Sequence, residues 1–170
     1  MGETVDIHWK CFSLEQANSS RGQDFKLWEH PETHSRSLLA LQAAKCAQLQ
    51  GDDRFNPFHL LLFEALHLER KDITSEEVLK EIAGKAHLDI PKFMEDLRSD
   101  ASRQQVGQDH MEAVESYRVF GVPTLVINQK WPFFVKLGSL PDSAEEKVSV
   151  FKEVRELIIN QPCILEIKRT

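Results

Sequence analysis

The chain has 170 residues, 41% of them apolar and 28% charged, with a formal net charge of −6. That is the make-up of one soluble globular domain, long enough to bury a core of its own. The acidic balance argues against a general nucleic-acid binder, which needs a basic face, and no run is long or apolar enough to span a bilayer.

Met1-Gly2-Glu3 lacks the basic-then-apolar signature of a secretory leader, so a cytoplasmic location is expected. Cys11, Cys46 and Cys163 stand far apart, which gives neither a C-x-x-C pair nor a clustered thiolate metal site. An odd count also does not suit an extracellular disulfide framework.

In chain order, Val5, Ile7, Trp9 and Cys11 alternate with polar residues, and period two with one polar face predicts an edge strand. Residues 13–33, rich in Ser, Gln, Asn and Gly, read as an irregular loop holding Trp28. Residues 34–120 read as helical almost throughout. Leu38, Leu39, Leu41 and Cys46 form one apolar face that ends near Gly51. Asn56 and Pro57 read as an N-cap followed by a proline at the first helical position, with Phe58, Leu61, Leu62 and Ala65 behind them. Thr74-Ser75-Glu76-Glu77 fits a capping box ahead of Val78, Leu79 and Ile82. Asp89-Ile90-Pro91 restarts a short helix carrying Phe93, Met94 and Leu97, and a last helix carries Val106, His110, Ala113 and Tyr117 to a stop at Gly121.

After that stop, Val122 precedes Pro123 and is biased toward extended backbone. Thr124–Asn128 and Phe133–Leu137 are then two strands of an antiparallel hairpin, joined by Gln129-Lys130-Trp131-Pro132. Ser143 with Glu146 offers another capping box, and Val148, Phe151, Val154 and Ile158 give the following helix a face to lay on the hairpin. Pro162 ends that helix, and the tail from Cys163 to Thr170 is extended or a short strand.

Few residues suggest chemistry by themselves. Cys11, at a strand end, and Cys46, among Ala and Leu, read as small core residues, and nothing near Cys163 lowers its pKa. His59 and His67 stand two turns apart on one helix, about 12 Å at 1.5 Å per residue, which is too far to share a metal ion. His110, on an apolar stripe, reads as a hydrogen-bonded core histidine. Trp28, Trp131, Phe133 and Phe134 suit core packing better than a ligand pocket. Glu76-Glu77 and Glu145-Glu146 suit the positive ends of helix dipoles, not a catalytic carboxylate pair.

The words Trp9-Lys10-Cys11-Phe12-Ser13-Leu14-Glu15-Gln16-Ala17-Asn18, the stretch Phe55 to His67, and Val119-Phe120-Gly121-Val122-Pro123-Thr124 carry a resemblance over nearly the whole chain. It resembles the DsbA-like thioredoxin-fold proteins, in the branch with 2-hydroxychromene-2-carboxylate isomerases and FrnE-type oxidoreductases. The resemblance implies an α/β, thioredoxin-like fold with an all-helical insertion. Residues 1–170 would form a single DsbA-like domain, with 1–33 and 118–170 as the core and 34–117 as the insert. It implies that Pro123 is the cis-proline facing the site, and that Val122, Pro123 and Thr124 bind substrate through strand addition.

The same comparison implies an N-terminally incomplete core. The chain starts at what would be the second strand, without the first strand or the C-x-x-C helix, so no catalytic residue is assigned. The expected activity is that of a DsbA-family thiol–disulfide oxidoreductase, incomplete here, whose partner is a protein or small-molecule thiol or disulfide. The alternatives are a non-catalytic peptide- or protein-binding module, or a thiol-dependent isomerase of the same fold. No cofactor, metal, nucleic acid or membrane partner is expected. The apolar Leu125-Val126-Ile127 edge, left unpaired, is expected either to form a homodimer or to pair with the opening strand.

Overall fold

Seven α-helices, a 3-10 turn and one two-stranded sheet make up the regular structure of the described residues, 5–22, 24–161 and 163, in the computed structural model. These fall into two compact units, one ending at Glu112 and the other starting at Ala113.

The first unit is held by helices whose apolar stripes close on one another. α2 (Leu38–Gln48) and α3 (Asp52–His67) pack against α4 (Glu76–Lys85) and α5 (Ile90–Leu97). Cys46, Phe58, Leu79, Ile82, Phe93 and Leu97 share the resulting core. The rings of Phe58 and Phe93, both fully buried, have centroids 5.6 Å apart. Burying each is worth about 1.5–3 kcal/mol, which is why these stripes persist as helices. A second cluster, with Cys11, Leu27, Trp28, Leu38 and Val106, sits where the N-terminal segment meets α2 and α6 (Asp100–Tyr117).

Several boundaries differ from the sequence reading. α3 begins at Asp52 with Gly51 as its N-cap, so Asn56 is not a cap and Pro57 lies inside the helix. Gly51 turns the chain at φ 93°, and Asp52 and Asp53 place carboxylates in the first turn, where the dipole favours them. The N-cap of α4 is Ser75, which accepts from the Val78 N–H, while Thr74 is engaged by Asp72. Residues 13–33 are more ordered than a loop. Ser13 caps a short helix α1 (Leu14–Ala17), and Leu27–Glu29 is a 3-10 turn that buries Trp28.

The largest difference is at the start. Residues 5–13 form no strand. Side chains take three of the segment's backbone groups: Asp109 accepts the Cys11 N–H at 2.9 Å, His110 Nδ1 accepts the Ser13 N–H at 3.2 Å, and Gln48 Nε2 donates to the Trp9 carbonyl. Alternation sets which way side chains point but does not supply a ladder partner.

In the second unit α6 ends at Tyr117, earlier than expected. Arg118 takes the left-handed conformation, φ 54°, and its N–H closes on the Val114 carbonyl. β1 (Thr124–Ile127) and β2 (Trp131–Phe134) pair antiparallel, Thr124 opposite Phe134 and Ile127 opposite Trp131. The hairpin is tighter than the sequence suggested. Asn128 and Gln129, at φ 52° and 54°, turn the chain, and the Lys130 N–H closes on the Ile127 carbonyl. Pro132 therefore lies inside β2.

α7 (Ala144–Asn160) opens with the Ser143–Glu146 capping box and packs against β2. Of its expected face Ile158 is buried, whereas Val148 and Phe151 are exposed. Pro162 and the tail after Cys163 lie outside the described residues. No helix among the described residues is long and apolar enough to cross a membrane.

Candidate functional site

The Val122–Pro123 peptide is cis. Around it the chain makes a tight bend. The Thr124 hydroxyl donates to the Gly121 carbonyl at 2.6 Å, and the Phe134 ring lies against Gly121, 3.4 Å from where a Cβ would stand. Phe120, three-quarters exposed, leans on Phe134 with ring centroids 5.2 Å apart. Together with Arg118, Thr124 and Pro132 they line a shallow cavity of about 160 Å³.

The register decides which backbone groups are free. The Val135 N–H bonds the Pro123 carbonyl, so Pro123, Leu125 and Ile127 turn their polar groups toward β2. By alternation Thr124 and Val126 turn theirs the other way. Opposite Val126 stands Pro132, whose missing N–H costs nothing in a pair that makes no hydrogen bonds. Val122 continues the series, and no described residue bonds its N–H or carbonyl. Val122, Thr124 and Val126 thus present an open row of donors and acceptors, since β2 is the only strand beside β1 among the described residues. The two faces of the hairpin also differ. Leu125, Ile127, Trp131 and Phe133 are half-buried, whereas Val126, Pro132 and Phe134 are exposed. Such an edge can take an extended polypeptide as an added strand with apolar side chains toward the exposed face.

The thiols of the first unit offer no nucleophile. Burial, followed by the Asp109 carboxylate, pushes Cys11 up to about 12, and its Sγ faces the Leu41 carbonyl at 3.7 Å. Burial, followed by Asp96, pushes Cys46 up to about 12 as well. A thiol far above neutral pH holds almost no thiolate, the reactive form. Cys163 is exposed. Iodoacetamide at pH 8 is therefore expected to label Cys163 alone in the native chain, and all three cysteines in urea. Rapid native labelling of Cys11 by mass spectrometry would contradict the burial described here.

His110 is the core histidine the sequence suggested. It is buried between Phe12 and Trp28, and its pKa is lowered by that burial. His59 packs its ring against Trp9 and Phe63, with centroids 4.3 and 4.8 Å away, so its surroundings are aromatic. Trp28 is core, while Trp131 and Phe133 lie on the half-buried hairpin face. Asp109 was not singled out from sequence. It holds Cys11, Lys45 and Lys10 together at 2.9, 3.0 and 3.4 Å. The hint was an acid beside His110 on the buried stripe of α6.

A family model described as thioredoxin matches residues 5–131. The ClpXP adapter protein SpxH of Bacillus licheniformis is 38% identical over 96 residues, covering 56% of this chain and 32% of that protein. The SpxH of Shouchella clausii is 32% identical over 142 residues, covering 76% of this chain and 45% of that protein. The thiol:disulfide interchange protein DsbA of Pseudomonas aeruginosa is 36% identical over 85 residues, covering 49% of this chain and 39% of that protein. The chain thus spans less than half the length of each of these relatives. A helical body, a small sheet opened by the Val122-Pro123-Thr124 bend, and a family match over most of its length make this chain a member of the thioredoxin family, with a DsbA-like α/β fold.

Proposed function

We propose that this chain is the docking body of a DsbA-family, thiol–disulfide oxidoreductase-like protein. Its edge Val122–Thr124–Val126 receives an extended stretch of a protein thiol or disulfide partner. One observation carries the reading: no described residue bonds the outward backbone groups of Val122, Thr124 and Val126, which lie beside an exposed apolar face. Matching relatives named as disulfide interchange proteins support the chemical class. The buried, high-pKa thiols of the first unit leave exchange to a nucleophile those two residues do not provide. Within that class, the words Trp9–Asn18 and Val119–Thr124 favour the branch of FrnE-type oxidoreductases and 2-hydroxychromene-2-carboxylate isomerases.

A second reading has its own support. The SpxH relatives are named as ClpXP adapters, and such a name describes a protein that binds other proteins. In that reading the same edge docks a polypeptide and no redox step follows.

Insulin reduction by dithiothreitol separates the two. The 170-residue chain is expected to add nothing to the rate with dithiothreitol alone, whereas a version extended upstream in the same reading frame accelerates it. No acceleration by either version favours the adapter reading. Docking itself is read by titrating a reduced, carboxymethylated polypeptide. Val126→Pro removes an N–H that points only to the open edge and is expected to weaken binding roughly tenfold, the loss of about one hydrogen bond. Unchanged binding would remove the edge from the site.

A further inference from the structure

The first unit holds a polar cleft that strand docking does not use. It lies between α2 and α6, has a volume of about 310 Å³, and is lined by Lys45, Gln48, Leu49, Gln105, Gln108 and Asp109. That is the low end of the range for small-molecule sites, roughly 300–1,000 Å³. Its depth is graded. The side chains of Asp109 and Lys45, 7% and 14% exposed, form the floor, while Leu49 and Gln108 are exposed at the mouth. The Gln48–Trp9 and Asp109–Cys11 bonds bound the cleft toward residues 9–11, so its walls are two helices and backbone already bonded to them.

The floor has donors to spare and no negative charge left to offer. Asp109 spends Oδ2 on Lys45 and the Cys11 N–H, and Oδ1 on Lys10. Lys10 also holds Glu112, a half-exposed carboxylate that does not line the cleft. Lys45 has three N–H groups, and among the described residues Asp109 alone takes one. An ammonium so buried is costly unless its donors are met. Gln48 spends Nε2 on Trp9 and keeps its Oε1, and no described residue bonds the carboxamide of Gln105 or Gln108. The unspent set is one cation beside carboxamides, which suits a ligand with a negative group and a neighbouring amide and disfavours a cationic one. Lys45 and Gln48 stand three residues apart on one wall, Gln105 and Gln108 three apart on the other. The polar groups of each wall are therefore about 5 Å apart, close to the rise of one helical turn.

We infer that this cleft binds a small carboxylate that carries an amide two carbons away. The Lys45 ammonium takes the carboxylate, and the Gln105 and Gln108 carboxamides take the second group, so the bound molecule bridges α2 and α6. Nothing in this site depends on the β1 edge, and the two readings stand or fall separately.

Succinamate is the probe, a carboxylate and a carboxamide joined by two methylenes. Titrated into the 170-residue chain, it is expected to shift the side-chain amide NMR signals of Gln105 and Gln108 along a saturable curve. Succinamide, the same shape without the charge, is expected to bind roughly tenfold more weakly or worse, because a charge-assisted bond is lost. Gln105→Leu leaves the ion pair untouched and is expected to weaken succinamate roughly tenfold, the loss of about one hydrogen bond. Lys45→Met alone would strand Asp109, so the ammonium is removed by Lys45→Met and Asp109→Leu together, and that variant is expected to give no saturable shift. If the pair does not fold, Gln105→Leu still decides. Equal binding of succinamate and succinamide overturns the inference, as does a shift that never saturates or that Gln105→Leu leaves unchanged. A version extended upstream in the same reading frame is expected to bind succinamate equally, and loss of binding there overturns the inference too. Binding of the carboxymethylated polypeptide, with its sensitivity to Val126→Pro, is expected to be the same with and without succinamate.

Discussion

Replacing Asp109 with alanine is expected to destabilise the first unit by about 3–5 kcal/mol, the range for breaking a buried ion pair from one side. The carboxylate is 7% exposed and has three cationic or donor partners: Lys45 at 3.0 Å, Lys10 at 3.4 Å and the Cys11 N–H at 2.9 Å. Not all three suffer equally. Lys10 is half-exposed and keeps Glu112 at 2.9 Å, so its share is small. Lys45, 14% exposed, is left charged without a counter-ion, and the Cys11 N–H is left buried without an acceptor. Asp109→Asn keeps an acceptor but loses the charge and should fall between alanine and the unaltered chain. Asp109→Leu combined with Lys45→Met removes both charges and should recover much of the loss, because the pair is costly to desolvate in the first place. Urea denaturation checks the series. A shift under about 1 kcal/mol for Asp109→Ala would mean that the segment around Cys11 is held by packing alone.

The same residue shows where reading the sequence stops. Helices α2 to α5 were legible because their information is local: Phe58, Leu62 and Ala65, or Phe93 and Leu97, recur at helical spacing and the core receives them. The bend at Val122-Pro123-Thr124 was legible as a word. What it leaves open was legible only in part, since an edge is free or covered according to pairing, and pairing is not written in β1 itself. The opening segment fails for a related reason. Its alternation is real, but the N–H groups of Cys11 and Ser13 are taken by Asp109 and His110, nearly a hundred residues away. Boundaries moved where a residue took a conformation its type seldom takes. Arg118 is left-handed where Gly121 was expected to be, and Gln129 shares a turn that usually calls on glycine.

Gly107→Ala should destabilise the chain by about 2 kcal/mol, although helix propensity alone predicts a gain of about 1 kcal/mol for the same change. The conflict makes the result informative. A Cβ at Gly107 would stand 2.4 Å from Trp28 Nε1 and 2.5 Å from Cδ1 and Cε2, well inside any contact a core accepts. The indole cannot easily yield. It is 3% exposed, has His110 5.3 Å away on ring centroids, and shares its cluster with Cys11, Leu38 and Val106. Overpacking of this kind costs about 1–3 kcal/mol, and a rigid bicyclic neighbour puts it at the upper end, more than the propensity gain offsets. Trp28→Leu in the same background relieves the contact, so the double variant should lose less than the sum of the two single losses. That coupling separates a clash from a generic helix effect. If Gly107→Ala instead raises the urea midpoint, the indole does not rest on this glycine. The contact between the 3-10 turn and α6 would then have to be redrawn, and with it the wall that keeps Cys11 out of water.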